Sequence, residues 1–319
     1  MLSFRPATLD DAAIEADVVT ALFPDEPLDP GIVRAWWKSH DPDDTVERFI
    51  ALSDGRVAGK VGRFHPAWAK MPARYDRLSV LLFPDQLGAL GEAFDHIEDR
   101  SRRDGAAIFT ADAREDEQAR IAFLAARGYR EERRSRGWEL DLRRHGATLR
   151  EMAERSRARM REEKIAVHTI DRDPDPRRFR KLYEMSEEAA QDTPRTVPHV
   201  AQSFETFVKW FQTPGIHLDR TWIARDGDDV VGVSVLLYPP TRGNVWTDWT
   251  GTARRIRGRG VARALKLETV MQAIALGTER VRTENDGANA PILHLNAELG
   301  YVRIPGWIQF LAGAGPRTP

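Results

Sequence analysis

The sequence predicts a mixed α/β fold in which one domain-sized unit occurs twice. The chain has 319 residues, which is more than one ordinary domain of about 150 residues needs. Similar sequence landmarks return at a constant spacing along the chain. Within each copy, strand-like and helix-like segments alternate, as in a sheet flanked by helices.

The repeat is clearest at two turns of the Asp-Gly type. Residues 50–59 (IALSDGRVAG) resemble residues 223–232 (IARDGDDVVG), and in both an Asp-Gly pair separates two β-rich runs. Three further landmarks lie 172 residues apart: Gly88 and Gly260, Gly105 and Gly277, Gly128 and Gly300. Because the offset is much longer than a solenoid repeat of 20–50 residues, it indicates a duplicated domain.

The boundary between the copies falls near residue 145, which gives units 1–145 and 146–319. Residues 148–164 are rich in Arg and Glu and carry apolar residues at Leu149, Met152 and Met160. This pattern predicts a partly amphipathic linker helix. Since charge-laced helices are usually exposed, we expect it to be a spacer without a chemical role.

Charge and composition exclude several classes of partner and of catalytic site. The chain has 48 basic and 49 acidic residues and a net charge of −1, so we expect neither nucleic acid nor a membrane as a partner. It contains no cysteine, which excludes a thiol nucleophile, disulfides and Cys-ligated zinc, and we predict no metal site. No signal segment or apolar run of about 20 residues is evident, so we expect a cytoplasmic protein.

The most informative motif is RIRGRGVA at residues 255–262, which follows a predicted strand and begins a predicted helix. Glycines spaced by one residue let backbone N–H groups approach an anion, and the helix N-terminus adds partial positive charge. The neighbouring arginines would pair with phosphates. A tight structural turn or an RNA-binding arginine cluster would also fit this segment. A P-loop and a Rossmann fingerprint do not fit, because their remaining residues are missing.

Residues 255–260 match the Arg/Gln-x-x-Gly-x-Gly/Ala signature of the GNAT acetyltransferase superfamily. The segments TENDGAN at 283–289 and NAELGY at 296–301 follow in that family's order. The chain therefore resembles a tandem GNAT protein, closely over residues 221–311 and weakly in the N-terminal copy. The resemblance implies two α/β domains, each a mixed, splayed sheet flanked by helices.

The resemblance also implies acetyl-CoA as the donor. Its pantetheine arm would enter between splayed strands near 245–250 and 280–284, and the N–H of Thr250 would hold the thioester oxygen and the developing oxyanion. The residues expected to bind acetyl-CoA are Thr250, Gly251, Thr252, Arg255, Arg257, Gly258, Arg259, Gly260, Val261, Ala262, Asn289 and Asn296.

Two carboxylates on those strands, Asp248 and Glu284, are the candidates for the base that deprotonates an amine acceptor. Each would alternatively face solvent or act as a counter-ion for a cationic substrate. The acid is less defined, because Asn296 stands where many family members have Tyr, and Tyr301 is in a position that more often packs. A water or another Tyr or Ser would then protonate the thiolate.

The N-terminal copy lacks the anion motif. The counterpart of residues 255–260 is FPDQLG at 83–88, which has no arginine, one glycine fewer, and an added proline and aspartate. We therefore expect a structural role for residues 1–145.

The function predicted for the whole chain is transfer of an acetyl group from acetyl-CoA to a small-molecule amine, through a ternary complex. Acetylation of a protein N-terminus or lysine, or acyl-CoA binding without catalysis, would also fit the sequence. The aromatic residues Trp210, Phe211, Trp222, Trp246 and Trp249 cluster on the expected acceptor side, and we expect most of them to be core.

Overall fold

The computed structural model of the protein describes residues 1–71 and 73–315; Pro72 and the last four residues of the predicted C-terminal unit lie outside the described residues. The strands are β1 Leu2–Pro6, β2 Thr45–Ser53, β3 Arg56–His65, β4 Tyr75–Leu82, β5 Ile108–Arg114, β6 Arg130–Asp141, β7 Ile165–Thr169, β8 Thr221–Asp226, β9 Asp229–Leu237, β10 Trp246–Thr252, β11 Arg280–Asp286, β12 Val302–Ile304 and β13 Trp307–Gly313. The α-helices are α1 Ala12–Leu22, α2 Pro30–Lys38, α3 Leu90–Arg103, α4 Gln118–Ala126, α5 Leu142–Glu162, α6 Arg178–Gln191, α7 Phe204–Trp210, α8 Val261–Ala275 and α9 Ala290–Glu298.

All strands join one mixed sheet with the order β1-β2-β3-β4-β5-β13-β6-β11-β10-β9-β8-β7, and β12 pairs with β6. The closing strands of the two halves are exchanged. Strand β13, from the C-terminal half, pairs with β5, while β6, from the N-terminal half, pairs with β11. Sheet hydrogen bonds therefore cross the predicted boundary near residue 145, and each half completes the sheet of the other. The boundary itself stays a prediction.

Both Asp-Gly turns form hairpins as predicted. Strands β2 and β3 pair antiparallel across Asp54 and Gly55, whose φ angles are 50° and 76°. Two consecutive positive φ angles are what a tight two-residue hairpin turn requires, and Asp and Gly tolerate them best. Strands β8 and β9 pair in the same way around Gly227, which has φ 58°.

The linker helix extends over Leu142–Glu162, six residues earlier at its start than predicted. Its apolar face is buried through Leu149, Ala153 and Met160, and it packs against α8. Leu149 and Ala153 belong to the same core cluster as Leu267 of α8 and Val281 of β11. The helix is therefore part of the core of the C-terminal half, rather than the exposed spacer that its charge suggests. Within the described ranges, no helix is both long and apolar enough to cross a bilayer.

Candidate active site

The neighbouring parallel strands β10 and β11 separate after one register pair. Trp246 is paired with Arg282, and the Arg282 N–H donates to the carbonyl of Val245 at 2.9 Å. Beyond this pair, β10 stays bonded to β9 and β11 stays bonded to β6. The gap between the two strands therefore opens toward their C-terminal ends, at the place that the resemblance to the GNAT superfamily implies.

A β-bulge lies beside the gap. The register between β10 and β9 shifts between Thr247 and Trp249, which leaves Asp248 without a register partner. A bulge redirects the side chain at the extra residue. The Asp248 carboxylate accepts a hydrogen bond from the Trp210 indole N–H at 2.8 Å, and burial raises the pKa of Asp248. The structure thus places this candidate base against α7.

The glycine motif forms an open loop at the start of α8. Gly258 and Gly260 have φ angles of 79° and 88°, a region that other residues enter only with strain. A Cβ at Gly258 would meet nothing within 4 Å. Among the described residues, the N–H groups of Gly258, Gly260, Val261 and Ala262 have no hydrogen-bond partner. Free N–H groups at a helix N-terminus fit the pyrophosphate of CoA.

The three arginines of the motif predicted to bind the phosphates are paired with carboxylates. The contacts are Arg255 to Asp226 at 2.6 Å, Arg257 to Asp192 at 2.7 Å and Arg259 to Glu163 at 2.7 Å. Exposed ion pairs of this kind contribute only about 0–1 kcal/mol each. An arriving phosphate would therefore compete with these carboxylates at little cost.

Arg159 is a residue near the loop that the motif did not reveal. Its guanidinium, on α5, donates to the carbonyl of Gly258 at 3.2 Å. A Cβ at Gly260 would lie 3.3 Å from the same guanidinium. No local pattern indicates this contact, because Arg159 is 99 residues upstream of Gly258. The linker helix thus brings one more positive charge to the edge of the loop.

The other residues predicted to bind acetyl-CoA border the gap. The hydroxyls of Thr250 and Ser234 are 2.9 Å apart, and the carbonyl of Thr252 accepts from Arg257 at 3.4 Å. Gly251 is buried, and a Cβ there would contact the Trp249 ring at 3.0 Å. Asn289 immediately precedes α9, and its N–H donates to the carbonyl of Asp286 at 3.0 Å.

Asn296 is fully buried on α9. Its amide N–H donates to the Oδ1 of Asn285 on β11 at 2.7 Å, and its own Oδ1 has no partner among the described residues. A buried polar atom without a partner is costly. This orphaned oxygen beside the gap fits a donor group of the pantetheine arm.

Glu284 lines a cavity of about 550 Å³ between the two halves. The cavity lies over β4, β5, β13, β6 and β11, and residues 194–202 close one side. The hydroxyl of Ser135 donates to the Glu284 carboxylate. Burial raises the pKa of Glu284 to about 7, and the Ser135 hydrogen bond opposes this rise.

Glu284 has no cationic hydrogen-bond partner in the described part of the chain, unlike two neighbouring carboxylates of the cavity. Asp112 pairs with Arg77 at 2.9 Å, and Asp286 is held by two hydrogen bonds from Arg133 at 2.7 and 2.8 Å. Of the two predicted bases, Glu284 is among the described residues that line this cavity and Asp248 is not. The aromatic residues Trp210, Phe211, Trp222 and Trp249 pack against the core, as expected.

The corresponding gap of the N-terminal half is occupied by a side chain. Strands β4 and β5 pair only from Tyr75 to Arg77 and then diverge. The Arg120 guanidinium donates to the carbonyl of Asp112 on β5 and to that of Val80 on β4, each at 2.9 Å. One buried guanidinium thus bridges the two strands where they separate. The loop after β4 is a 3-10 helix over Pro84–Ala89, and Gly88 has no positive φ.

Comparisons with known proteins agree with this architecture. Residues 180–301 match the model of the Acetyltransferase (GNAT) family. A tandem GNAT protein from the clavulanic acid biosynthesis pathway is similar over 100% of both chains, with 19% identity and a TM-score of 0.74. A GCN5-related N-acetyltransferase from Sphaerobacter thermophilus is 19% identical over 99% of this chain and 96% of its own, with a TM-score of 0.66.

The glucosamine N-acetyltransferase region of a fungal multi-domain β-N-acetylglucosaminidase is also similar. It is 16% identical, with a TM-score of 0.67, over 98% of this chain and 38% of that one. No curated protein matches the sequence. Residues 180–301 are therefore similar to the Acetyltransferase (GNAT) family, and the whole chain has the tandem GNAT fold. The resemblance inferred from the glycine motif is confirmed.

Proposed function

We propose that the protein transfers an acetyl group from acetyl-CoA to the amine of a small molecule, and that the C-terminal half holds the donor. The observation that carries this proposal is the position of Glu284. It lies on the splayed strand β11, and its carboxylate lines a cavity between the two halves. The gap that would hold the donor and the cavity that would hold the acceptor would thus meet at the Glu284 carboxylate.

The donor side is supported by features of the C-terminal half alone. The glycine loop offers free N–H groups at a helix start, and the gap between β10 and β11 leaves room for an extended arm. The N–H of Thr250 would hold the thioester oxygen and the charge that develops on it. A preorganised donor of this kind typically contributes 10²–10³ in rate, as estimated for other oxyanion holes.

Glu284 would act as the base. An amine must be neutral to attack a thioester, and a carboxylate with a pKa of about 7 is well matched to take its proton near neutral pH. The cavity volume of about 550 Å³ favours a small acceptor. A protein N-terminus or lysine would have to pass the residues 194–202 that close one side.

The test is thiol release from acetyl-CoA with the full chain and a panel of amines, which includes amino sugars, amino acids, diamines and peptides. We expect turnover with at least one small amine, and loss of that turnover in Glu284→Gln. Turnover with peptides alone would favour the protein acetyltransferase alternative. CoA binding without turnover for any acceptor would favour a binding module.

A further inference from the structure

A buried lysine lies beside the donor gap, with its ammonium over an aromatic ring. Lys266, on α8, is 1% exposed. Its ammonium forms no hydrogen bond or ion pair within residues 1–71 and 73–315, and lies 5.1 Å from the centre of the Tyr301 ring. The Tyr301 hydroxyl is also buried, near Thr247 on β10, without a well-formed hydrogen bond. An unpaired buried ammonium is among the most costly groups to fold around.

The position of this cluster connects it to the gap. Thr247 directly follows Trp246, the last residue of β10 that is paired with β11. Asn296, whose orphaned oxygen belongs to the same region, reaches Asn285 on the splayed part of β11. Lys266 and Tyr301 therefore lie on the helical side of the sheet, where the two strands begin to separate.

The N-terminal half has no such lysine. The residues 172 positions earlier than Lys266, Asn296 and Tyr301 are Phe94, Leu124 and Tyr129. Phe94 and Leu124 are fully buried, and the Tyr129 hydroxyl donates to Glu98 at 3.0 Å. The fold is thus compatible with apolar side chains at the first two positions. The polar cluster occurs only in the half that has the glycine loop.

We propose that Lys266 protonates the sulfur of CoA as it leaves, an assignment that rests on the proposed acyltransferase function. When the tetrahedral adduct collapses, the C–S bond breaks, its electron pair stays on sulfur, and a proton moves from the Lys266 ammonium to that sulfur. The acceptor ammonium loses two protons on becoming an amide. One of them restores Lys266 and the other passes to solvent.

The electrostatic surroundings suit this role. Burial lowers the pKa of Lys266 to about 7, and no charged group of the described elements contributes to the shift. The Tyr301 ring, which lies 5.1 Å from the ammonium, is neutral. A thiol ordinarily has a pKa of about 8.5, so the Lys266 ammonium is the stronger acid. The charge would also stabilise a thiolate in this dry site.

The experiment measures the thiol pKa of bound CoA, so that no acceptor is needed. Free CoA is bound to the full chain, and thiolate absorbance in the ultraviolet is followed against pH. We expect the thiol pKa to be at least one unit lower in Lys266→Arg, whose guanidinium stays charged throughout the titration, than in Lys266→Met. Lys38→Met, which removes an exposed lysine of α2, is the matched control and should behave as the wild type.

Turnover separates proton donation from electrostatics. Lys266→Met should lower kcat by on the order of 10²-fold, and much less with acetyl-selenoCoA, because a selenolate leaves without a proton. Lys266→Arg keeps the charge but cannot donate, since arginine stays protonated. It should show the lowered thiol pKa and lose rate.

Three results would count against these ideas in different ways. A thiol pKa that is equal in Lys266→Arg and in Lys266→Met would overturn the assignment of Lys266. An equal loss of rate with the thioester and the selenoester would overturn it as well. Absence of CoA binding by the wild type would instead overturn the proposed function on which the assignment rests.

Discussion

The two halves of the chain share one sheet and one order of elements, but they differ in whether a side chain bridges the gap between their diverging strands. In the N-terminal half, the gap holds the guanidinium of Arg120, which bonds a carbonyl of each strand. In the C-terminal half, no guanidinium of the described residues bridges β10 and β11, and buried atoms of Asn296 and Tyr301 remain without partners.

This difference shows how a duplicated fold keeps its shape when a ligand site is lost. Diverging strands expose backbone groups that must be paired by something, either a ligand, water or a side chain. Arg120 does this from within the protein. The C-terminal half shows the opposite. Polar groups on the buried side chains of Asn296, Tyr301 and Lys266 are left without hydrogen-bond partners among the described residues, as a site for a polar substrate requires.

The largest expected effect comes from the glycine loop. Gly260→Asp adds a Cβ at φ 88° and a negative charge where the phosphates would approach, so CoA affinity should fall by at least about 10²-fold. Gly88→Asp in the N-terminal half is the matched control, because a Cβ there meets nothing within 4 Å. Calorimetric titration measures the CoA affinity of both folded variants. Unchanged affinity in Gly260→Asp would refute the glycine loop as the phosphate-binding site.

The next effect concerns the two carboxylates at equivalent positions of the repeat. Glu284→Gln should lower kcat by about 10²-fold with little change in CoA affinity, since it removes the base. Asp112→Asn, 172 residues earlier, should change kcat only slightly, because Asp112 is already paired with Arg77. Steady-state kinetics with a responsive amine compares the two. If Asp248→Asn were the slower enzyme, the base would lie at the bulge instead.

Arg120 offers a test on stability. Arg120→Ala leaves two buried carbonyls without partners, and an unsatisfied buried group costs about 1–3 kcal/mol. We expect the free energy of unfolding to fall by roughly 2–4 kcal/mol, with no gain of a second CoA site. Arg130→Ala, at an exposed position, should have little effect. Denaturant titration would measure both, and an unchanged stability in Arg120→Ala would show that water replaces the guanidinium.

The smallest effect is a shift in pH dependence. Only the carboxylate form of Glu284 accepts a proton, so the acidic limb of the kcat/KM profile should reflect its pKa of about 7, while loss of the Lys266 proton should lower kcat/KM at higher pH. Ser135 donates to this carboxylate and holds its pKa down. Ser135→Ala should therefore move the acidic limb to higher pH, by up to about one unit. A shift to lower pH would exclude the Ser135 to Glu284 hydrogen bond from the active enzyme.

Local patterns predicted much of the C-terminal half. The Asp-Gly hairpins, the glycine loop and α8 follow from residues near one another in sequence, whereas the gap between β10 and β11 was implied only by the resemblance to the GNAT family. The exchange of β6 and β13 could not be predicted, because an alternating strand fits any neighbouring strand equally well. The short helix α7 was missed, since seven residues carry little periodicity.

The residues that distinguish the two clefts were missed for a related reason. Arg120 acts on strands 40 and 8 residues away, and such contacts leave no mark in a local pattern. Lys266, in contrast, could have been recognised from the local sequence pattern. It stands between Leu265 and Leu267 in an otherwise apolar stretch, and its repeat counterpart is Phe94. A charged residue at a position that is apolar in the other copy would have been a usable signal.

The central claim is that only the C-terminal copy holds an acyl-CoA site, and the most direct test is the number of CoA molecules bound by the full chain. Native mass spectrometry and calorimetric titration should both give one CoA per chain, and none for Gly260→Asp at the same concentration. Two equivalent sites in the wild type, or one site that persists in Gly260→Asp, would show that the N-terminal cleft binds CoA despite Arg120 and would contradict the account.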